Sequence, residues 1–464
     1  MIDDMGNWYG IELYCLKDSK VRIWDSLKKF PGCSVQTIAK LYGIEGKKDY
    51  PDFNKYIPNN YEPTKDEISY CIQDSKIIAY AIQQEMLKGH TGMTLSADAF
   101  DLVKELLGGR EKWRNVFPEL PDSVDYFVRN AYKGGWVYVN PKYQNSTIKN
   151  VYVYDVNSLY PWVMHDCPLP VGPGYIHRPI GNQLSVMQFE TIFELETGFP
   201  TIQIKHNMNY KGTEYLTKVN EPVTLTMTNI DYKLFEENYN IDYLSEPSYI
   251  SFNAKSGLLK NYIDEWMKVK EESTHIEGIQ EGNPALRYIS KRYMNSPYGK
   301  TGMKPTRINK IPRTDEDYCI RYDTDVTTIE GIYVPYATFV CAWARDKTIR
   351  TAQSEEESFV YADTDSVHLV NEQLDDKLVD PVKLGYWKHE GTFEIGKYIR
   401  PKTYIHANNA YAITDVTCAG MPNGVKQHVT WDNFIIGNEF KGKLQQKQVP
   451  GGCLLVETTF RIAE

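Results

Sequence analysis

The sequence has no C-x-x-C pair; its eight cysteines are scattered along 464 residues. That spacing argues against a zinc site or disulfide framework and fits a reducing cytoplasm. No apolar run approaches the roughly 18 residues of a membrane-spanning helix, and mean hydropathy is −0.49. The opening MIDDMGNWYG lacks both a basic n-region and an apolar h-region, so no secretory signal is expected. Internal repeats and low-complexity stretches are missing as well. So is an excess of basic charge: the net charge is −9, an awkward sign for a partner of nucleic-acid phosphates.

The remaining composition describes a folded protein with an uneven surface. Apolar residues make up 42% of the chain, and its length calls for two or more subdomains. Acids cluster over 355–380, whereas 383–447 carries nine Lys and Arg against five Asp and Glu. A solvated face explains either run taken alone. Thirty-five tyrosines suit stacking on bases and sugars, though most belong in a core or on an ordinary surface.

Periodicity places the elements. Residues 66–88 have helical spacing and end at the breaker GHTGM; 150–155 alternate as a strand before a sharp turn at Asn157–Pro161. From 172 to about 253 strand-like pieces alternate with turns. The pattern becomes helical near Leu258, and Asn283-Pro284 reads as the cap and first turn of a second helix, with Pro297 expected to kink or stop it. Residues 306–330 read as a hairpin excursion, and 428–464 alternate basic and strand-like pieces around a Pro450-Gly451-Gly452 turn.

Three segments carry chemistry: YVYDVNSLYP (152–161), KRYMNSPYG (291–299) and FVYADTDSVHL (359–369). Asp155 closes a strand, and the turn after it is expected to expose the amides of Asn157 to Leu159 to phosphate oxygens. An ordinary strand-to-helix turn is the simpler reading of that segment alone. Asp363 and Asp365 flank one residue at the tip of an expected hairpin, where a divalent cation would offset the cost of gathering their charges. Arg287 and Lys291 lie four apart on the second helix, and Tyr298 falls two turns beyond Lys291 on that face. Carboxylates for two metal ions and cations for a triphosphate are what nucleotidyl transfer requires.

The segments resemble motifs A, B and C of family B DNA polymerases, and more narrowly those of protein-primed polymerases from bacteriophages with linear genomes. KLGYWKHEGTFEIGKYIRPKTYI (383–405) and Tyr132-Lys133-Gly134-Gly135 carry the narrower resemblance. It implies an α+β right-hand fold of palm, fingers and thumb, with two terminal-protein-region insertions and a partial RNase H-like exonuclease domain at the N-terminus. The implied divisions are 1–90 partial exonuclease, 91–170 linker and palm, 171–257 first insertion, 258–302 fingers, 306–330 second insertion, 331–427 palm and 428–464 thumb.

It further implies that Asp155 and Asp365 ligate two magnesium ions (manganese able to substitute), that the Val156 carbonyl completes the shell, and that Asp363 assists. Lys291, with Arg287 and Lys270, would neutralise the triphosphate of the incoming dNTP. Ser158, Leu159 and Asn295 would join that pocket, Tyr160 would exclude a 2′-hydroxyl, and Tyr298 would line the nascent base pair. Tyr132, Gly134, Gly135, Arg345, Lys402 and Tyr404 would hold the primer and template. Primer-template DNA, dNTPs and a hydroxyl-bearing terminal protein are the implied partners.

Departures from the pattern shape the expectations. Of the three acidic exonuclease motifs only the third has a counterpart, Tyr70-x3-Asp74. Asp3-Asp4 does not fit the first, and a lysine expected near Val35–Lys40 is Gln36 or Thr37. One carboxylate does not hold two metals, so no proofreading is expected of this chain alone; a truncated start or a separate exonuclease half would account for the gap. Pro297 replaces an apolar residue in motif B, and Cys341 stands where Thr is usual. A catalytically poor, nucleic-acid-binding remnant of such a polymerase is the competing reading, and an RNA-primed replicative enzyme leaves the two insertions without a purpose.

Overall fold

A computed structural model describes the chain apart from residues 1–9, 15–19, 46–60, 204–213, 276–281, 315, 317–319, 450–451 and 464. Asp3-Asp4 and Pro450-Gly451 therefore lie outside the described residues. Two units emerge: residues 1–120, 171–173 and 257–337 form one, and 121–170, 174–256 and 338–464 the other. Each is treated by itself.

Sequence-encoded caps start the main helices of the first unit. Thr64 and Glu67 exchange side-chain and backbone hydrogen bonds in a capping box that opens Lys65–Leu87. Asn283 accepts from the Leu286 amide, and Pro284 occupies the first turn of Pro284–Thr301. That helix packs beside Lys260–Glu272 and Leu95–Leu106 through a core of Leu95, Ala99, Tyr293 and Trp266. Pro297 does not stop it: the helix runs on to Thr301. An interior proline costs roughly 3 kcal/mol, so neighbouring packing must compensate. Residues 306–314 and 320–328 form the expected antiparallel hairpin.

The second unit is built on a seven-stranded antiparallel sheet. Its spatial order is Ile413–Cys418, Thr403–Ala407, Trp387–Arg400, Thr147–Val156, Ser366–Val370, Phe359–Asp363 and Val137–Val139. Val151, Val360, Tyr361 and Tyr398 anchor its core. Leu169–Tyr175, Leu184–Leu195, Lys218–Thr228, Tyr239–Tyr243 and Ser248–Lys255 form a separate five-stranded sheet, accompanied by the helix Asn229–Asn238. The C-terminal hairpin, Glu439–Val449 with Gly452–Arg461, contributes Phe440 and Phe460 to a cluster with Ile399, Ile405 and Cys418.

Candidate active site

Sheet register brings the acids of two distant segments together. Asp363 pairs with Ser366, Ser366 with Asp155, and Asp155 with Lys388, making one row across four strands. Directly opposed residues point to the same face of a sheet, so Asp363 and Asp155 share a face two strands apart. Asp365 sits in the turn beside that row, and the Val156 amide donates to its carbonyl at 2.7 Å. Lys388, which no sequence pattern singled out, flanks Asp155 and its ammonium binds Glu390 at 2.8 Å.

The Asp-Thr turn is tight. Thr364 has φ +60°, and the Asp365 amide reaches back to the Asp363 carbonyl at 2.6 Å. The Thr364 amide donates to the Trp136 carbonyl at 2.7 Å, tying the turn to the segment after Gly135. A Cβ on Gly135 would lie 2.4 Å from the Thr364 hydroxyl, so only glycine permits this approach. Gly134, by contrast, faces open space.

Arg345 departs from its expected place at the DNA. It is 4% exposed and binds both carboxylate oxygens of Asp231, at 2.9 and 2.7 Å. Its remaining reach is spent on the Lys133 and Gly134 carbonyls, each at 2.7 Å. The side chain holds the Tyr132–Gly135 segment from within, leaving Tyr132 and Gly134 as the half-buried and exposed parts of that linker. Asp231 had no sequence signal; it is one acid among many until the fold places it.

A second correction concerns the turn after Asp155. The Asn157 amide is not exposed for phosphate: it donates to the Tyr386 carbonyl at 2.9 Å. Ser158 adopts a left-handed conformation (φ 55°) that launches the helix Leu159–Asp166. Leu159 is buried and Tyr160 half-buried. Burial raises the Cys341 thiol to about 11 against the opposing charge of Arg345 and a hydrogen bond from Tyr160, so the cysteine backs the tyrosine.

Lys402 lies in a hairpin turn with φ 57°. Its ammonium reaches both oxygens of Asp363 at 2.6 Å, and its amide donates to the Tyr361 hydroxyl at 3.0 Å. Tyr404 packs on Tyr361 with ring centroids 5.1 Å apart. Burial, against a hydrogen bond with Thr417 and helped by the charges of Asp415, Asp363 and Asp155, raises the Tyr404 phenol above its usual range and keeps it protonated.

In the first unit, Arg287, Lys291, Asn295 and Tyr298 form one stripe along Pro284–Thr301, with Lys291 exposed. The Asn295 amide group donates to the Lys291 carbonyl at 2.9 Å. Arg287 Nε contacts the Thr274 hydroxyl at 3.3 Å, which itself donates to the Lys270 carbonyl at 2.7 Å. Lys270 is buried at the end of its helix rather than displayed beside Lys291. Tyr70 and Asp74 lie one turn apart on Lys65–Leu87, both half-buried.

Among the described residues no three His, Cys, Asp or Glu side chains form a self-sufficient metal shell. Magnesium does not demand one, since it retains waters and substrate phosphates around one or two carboxylates. The hard oxygen donors of Asp155 and Asp365 suit it. The charge of Asp363 is already met by an ammonium group, which suits an assisting role better than direct ligation.

Comparison with known proteins identifies the family. The family DNA polymerase type B, organellar and viral, matches residues 1–383, a span that includes all three acidic and cationic segments but not Lys402 or Tyr404. The DNA polymerase of Bacillus phage M2 is 36% identical over 496 residues, covering 100% of this chain and 84% of the relative. That of Bacillus phage phi29 is 36% identical over 497 residues, with the same coverage, and that of Streptococcus phage Cp-1 is 31% identical, covering 83% of the relative. The solved structure of phi29 DNA polymerase complexed with primer-template DNA and incoming nucleotide substrates aligns with a TM-score of 0.88 over 99% of this chain and 84% of that one. Among the described residues no helix is long and apolar enough to cross a membrane. The chain belongs to the type B DNA polymerases of the organellar and viral group.

Proposed function

We propose that this polymerase extends a DNA 3′-hydroxyl with dNTPs on a template, and that it begins synthesis on a hydroxyl supplied by a terminal protein. One observation carries the first part: Asp155 and the Asp363–Asp365 turn lie in one sheet, Asp155 paired with Ser366 at the end of that turn and the Val156 amide bonded to the Asp365 carbonyl at 2.7 Å. The five-stranded sheet, most of which falls in 171–257, and the hairpin within 306–330 support the second, as two insertions available to a protein partner.

Asp155 and Asp365 are the residues that would hold two magnesium ions, with manganese as a substitute and the Val156 carbonyl as a further ligand. When bound, such ions lower the pKa of the attacking hydroxyl and stabilise the departing pyrophosphate. Lys402 would orient Asp363 and meet the primer terminus together with Tyr404. Lys291 and Arg287 would neutralise the triphosphate, with Lys270 supporting them from its buried position. Tyr160, held against Cys341, would close the space a 2′-hydroxyl needs, with Ser158 and Leu159 shaping the same turn. Asn295 braces the helix that presents Tyr298 to the base pair. Tyr70 and Asp74 would contribute one carboxylate towards an exonuclease site.

Primer extension by the purified chain with magnesium and dNTPs tests the reading. Template-directed products are expected on a primed duplex and, with a terminal protein present, on that protein's hydroxyl. DNA binding without any extension would instead identify a catalytically poor remnant.

A further inference from the structure

Pro297 has no amide hydrogen, so the Tyr293 carbonyl one turn earlier lacks its usual helical donor. Both residues are buried, where a carbonyl without a partner is costly. Tyr262, on the adjacent helix Lys260–Glu272, meets that need: its hydroxyl donates to the Tyr293 carbonyl at 3.0 Å. Tyr262 is 3% exposed, and burial raises its phenol well above the usual range, so it remains a donor. One turn along the same face, Trp266 stacks on the Tyr293 ring with centroids 4.0 Å apart. A phenol and an indole thus grip the Pro284–Thr301 helix where its own hydrogen-bond ladder is broken.

The break has a functional neighbour. Arg287 and Lys291 precede it, whereas Tyr298 follows Pro297 directly and rides on the last turn. The direction of a turn beyond a helix proline depends on what secures the interrupted ladder. We infer that Tyr262 is a positioning residue, which aims Tyr298 at the nascent base pair by binding the carbonyl that Pro297 releases. The inference rests on the nucleotide-binding reading of this helix. It separates two properties that share one element: base-pair fit, which Tyr262 governs, and triphosphate binding, which it does not.

The experiment is a double-mutant cycle of Tyr262→Phe and Pro297→Ala, read as dNTP KM, kcat and the inhibition constant of inorganic pyrophosphate. Phenylalanine keeps the ring and removes only the donor; alanine restores an amide able to serve the Tyr293 carbonyl. Assays are run well below the measured melting temperature of each variant. Tyr262→Phe is expected to raise KM about five-fold, the weight of one hydrogen bond, with kcat and pyrophosphate inhibition changed less than two-fold. In the Pro297→Ala background the same substitution should change KM less than two-fold. An equal KM effect in both backgrounds, a lowered melting temperature with unchanged KM, or a parallel loss of pyrophosphate binding would overturn the inference. A parent protein that binds DNA but extends nothing would sink the polymerase reading as well, and that outcome is visible before any variant is made.

Discussion

On the proposed reading the chemistry would turn on Asp155, which shares a row with Ser366 and Asp363 and neighbours Asp365. Asp155→Asn keeps the size and most hydrogen bonding of the side chain while removing its charge. Extension is expected to fall roughly a thousand-fold or more, consistent with losing several kcal/mol of metal-assisted stabilisation, with melting unchanged. Appreciable synthesis by a folded Asp155→Asn protein would remove it from the metal-ligand role. Tyr160, hydrogen-bonded to Cys341, is the residue proposed to set sugar choice. Tyr160→Val should admit ribonucleotides, read as a drop in the dNTP-to-NTP ratio of kcat/KM; an unchanged ratio would leave sugar selection to another group.

At the scale of elements, the turn at 363–366 depends on the linker packed against it. Gly135 and Thr364 meet so closely that an added Cβ has 2.4 Å to the hydroxyl. Gly135→Ala is expected to cost about 1–3 kcal/mol and to slow extension by displacing the carboxylate turn. Thr364→Gly removes the obstructing side chain at a residue whose φ of +60° glycine tolerates well. The double variant should recover most of the denaturant midpoint and of the activity lost by Gly135→Ala. These contacts were only partly legible beforehand. A Gly-Gly pair announces a close approach or a turn, but its partner lies over 220 positions away in the chain. Arg345 illustrates the converse: the resemblance implies a primer or template contact, whereas Asp231 and two carbonyls enclose the side chain.

Across the whole molecule, each unit carries a buried group that makes its stability sensitive to acid. In the first, burial alone would raise Glu85, but hydrogen bonds from His90, Tyr42 and Lys88 outweigh it and hold the carboxyl at about 2. Its folded pKa is depressed, so its contribution is complete above the ordinary carboxylate pKa and is lost as pH falls from about 4.5 towards 2. In the second unit, burial, with His406 close by, holds His368 well below the usual imidazole range, and its ring accepts or donates at Tyr398 at 2.7 Å. Unfolding frees that ring to take a proton, so stability declines as pH falls below about 6.5. Denaturant midpoints measured from pH 8 to 3 should therefore fall in two stages. Glu85→Gln is expected to flatten the lower stage and His368→Gln the upper; a single stage untouched by either would assign acid sensitivity to other groups.

Helix caps, alternating strands and the three chemical segments were readable from residue order, because each rests on interactions within a few positions. Asn283 with Pro284 and Asp363-Thr364-Asp365 both act locally. Which of the cations stay displayed and which are consumed inside, why Gly135 has no side chain, and how the helix survives Pro297 were settled by folding alone. Those answers come from partners remote in sequence (Asp231, Thr364 and the Tyr262 hydroxyl), brought within hydrogen-bond or van der Waals reach by packing, which local propensity does not encode.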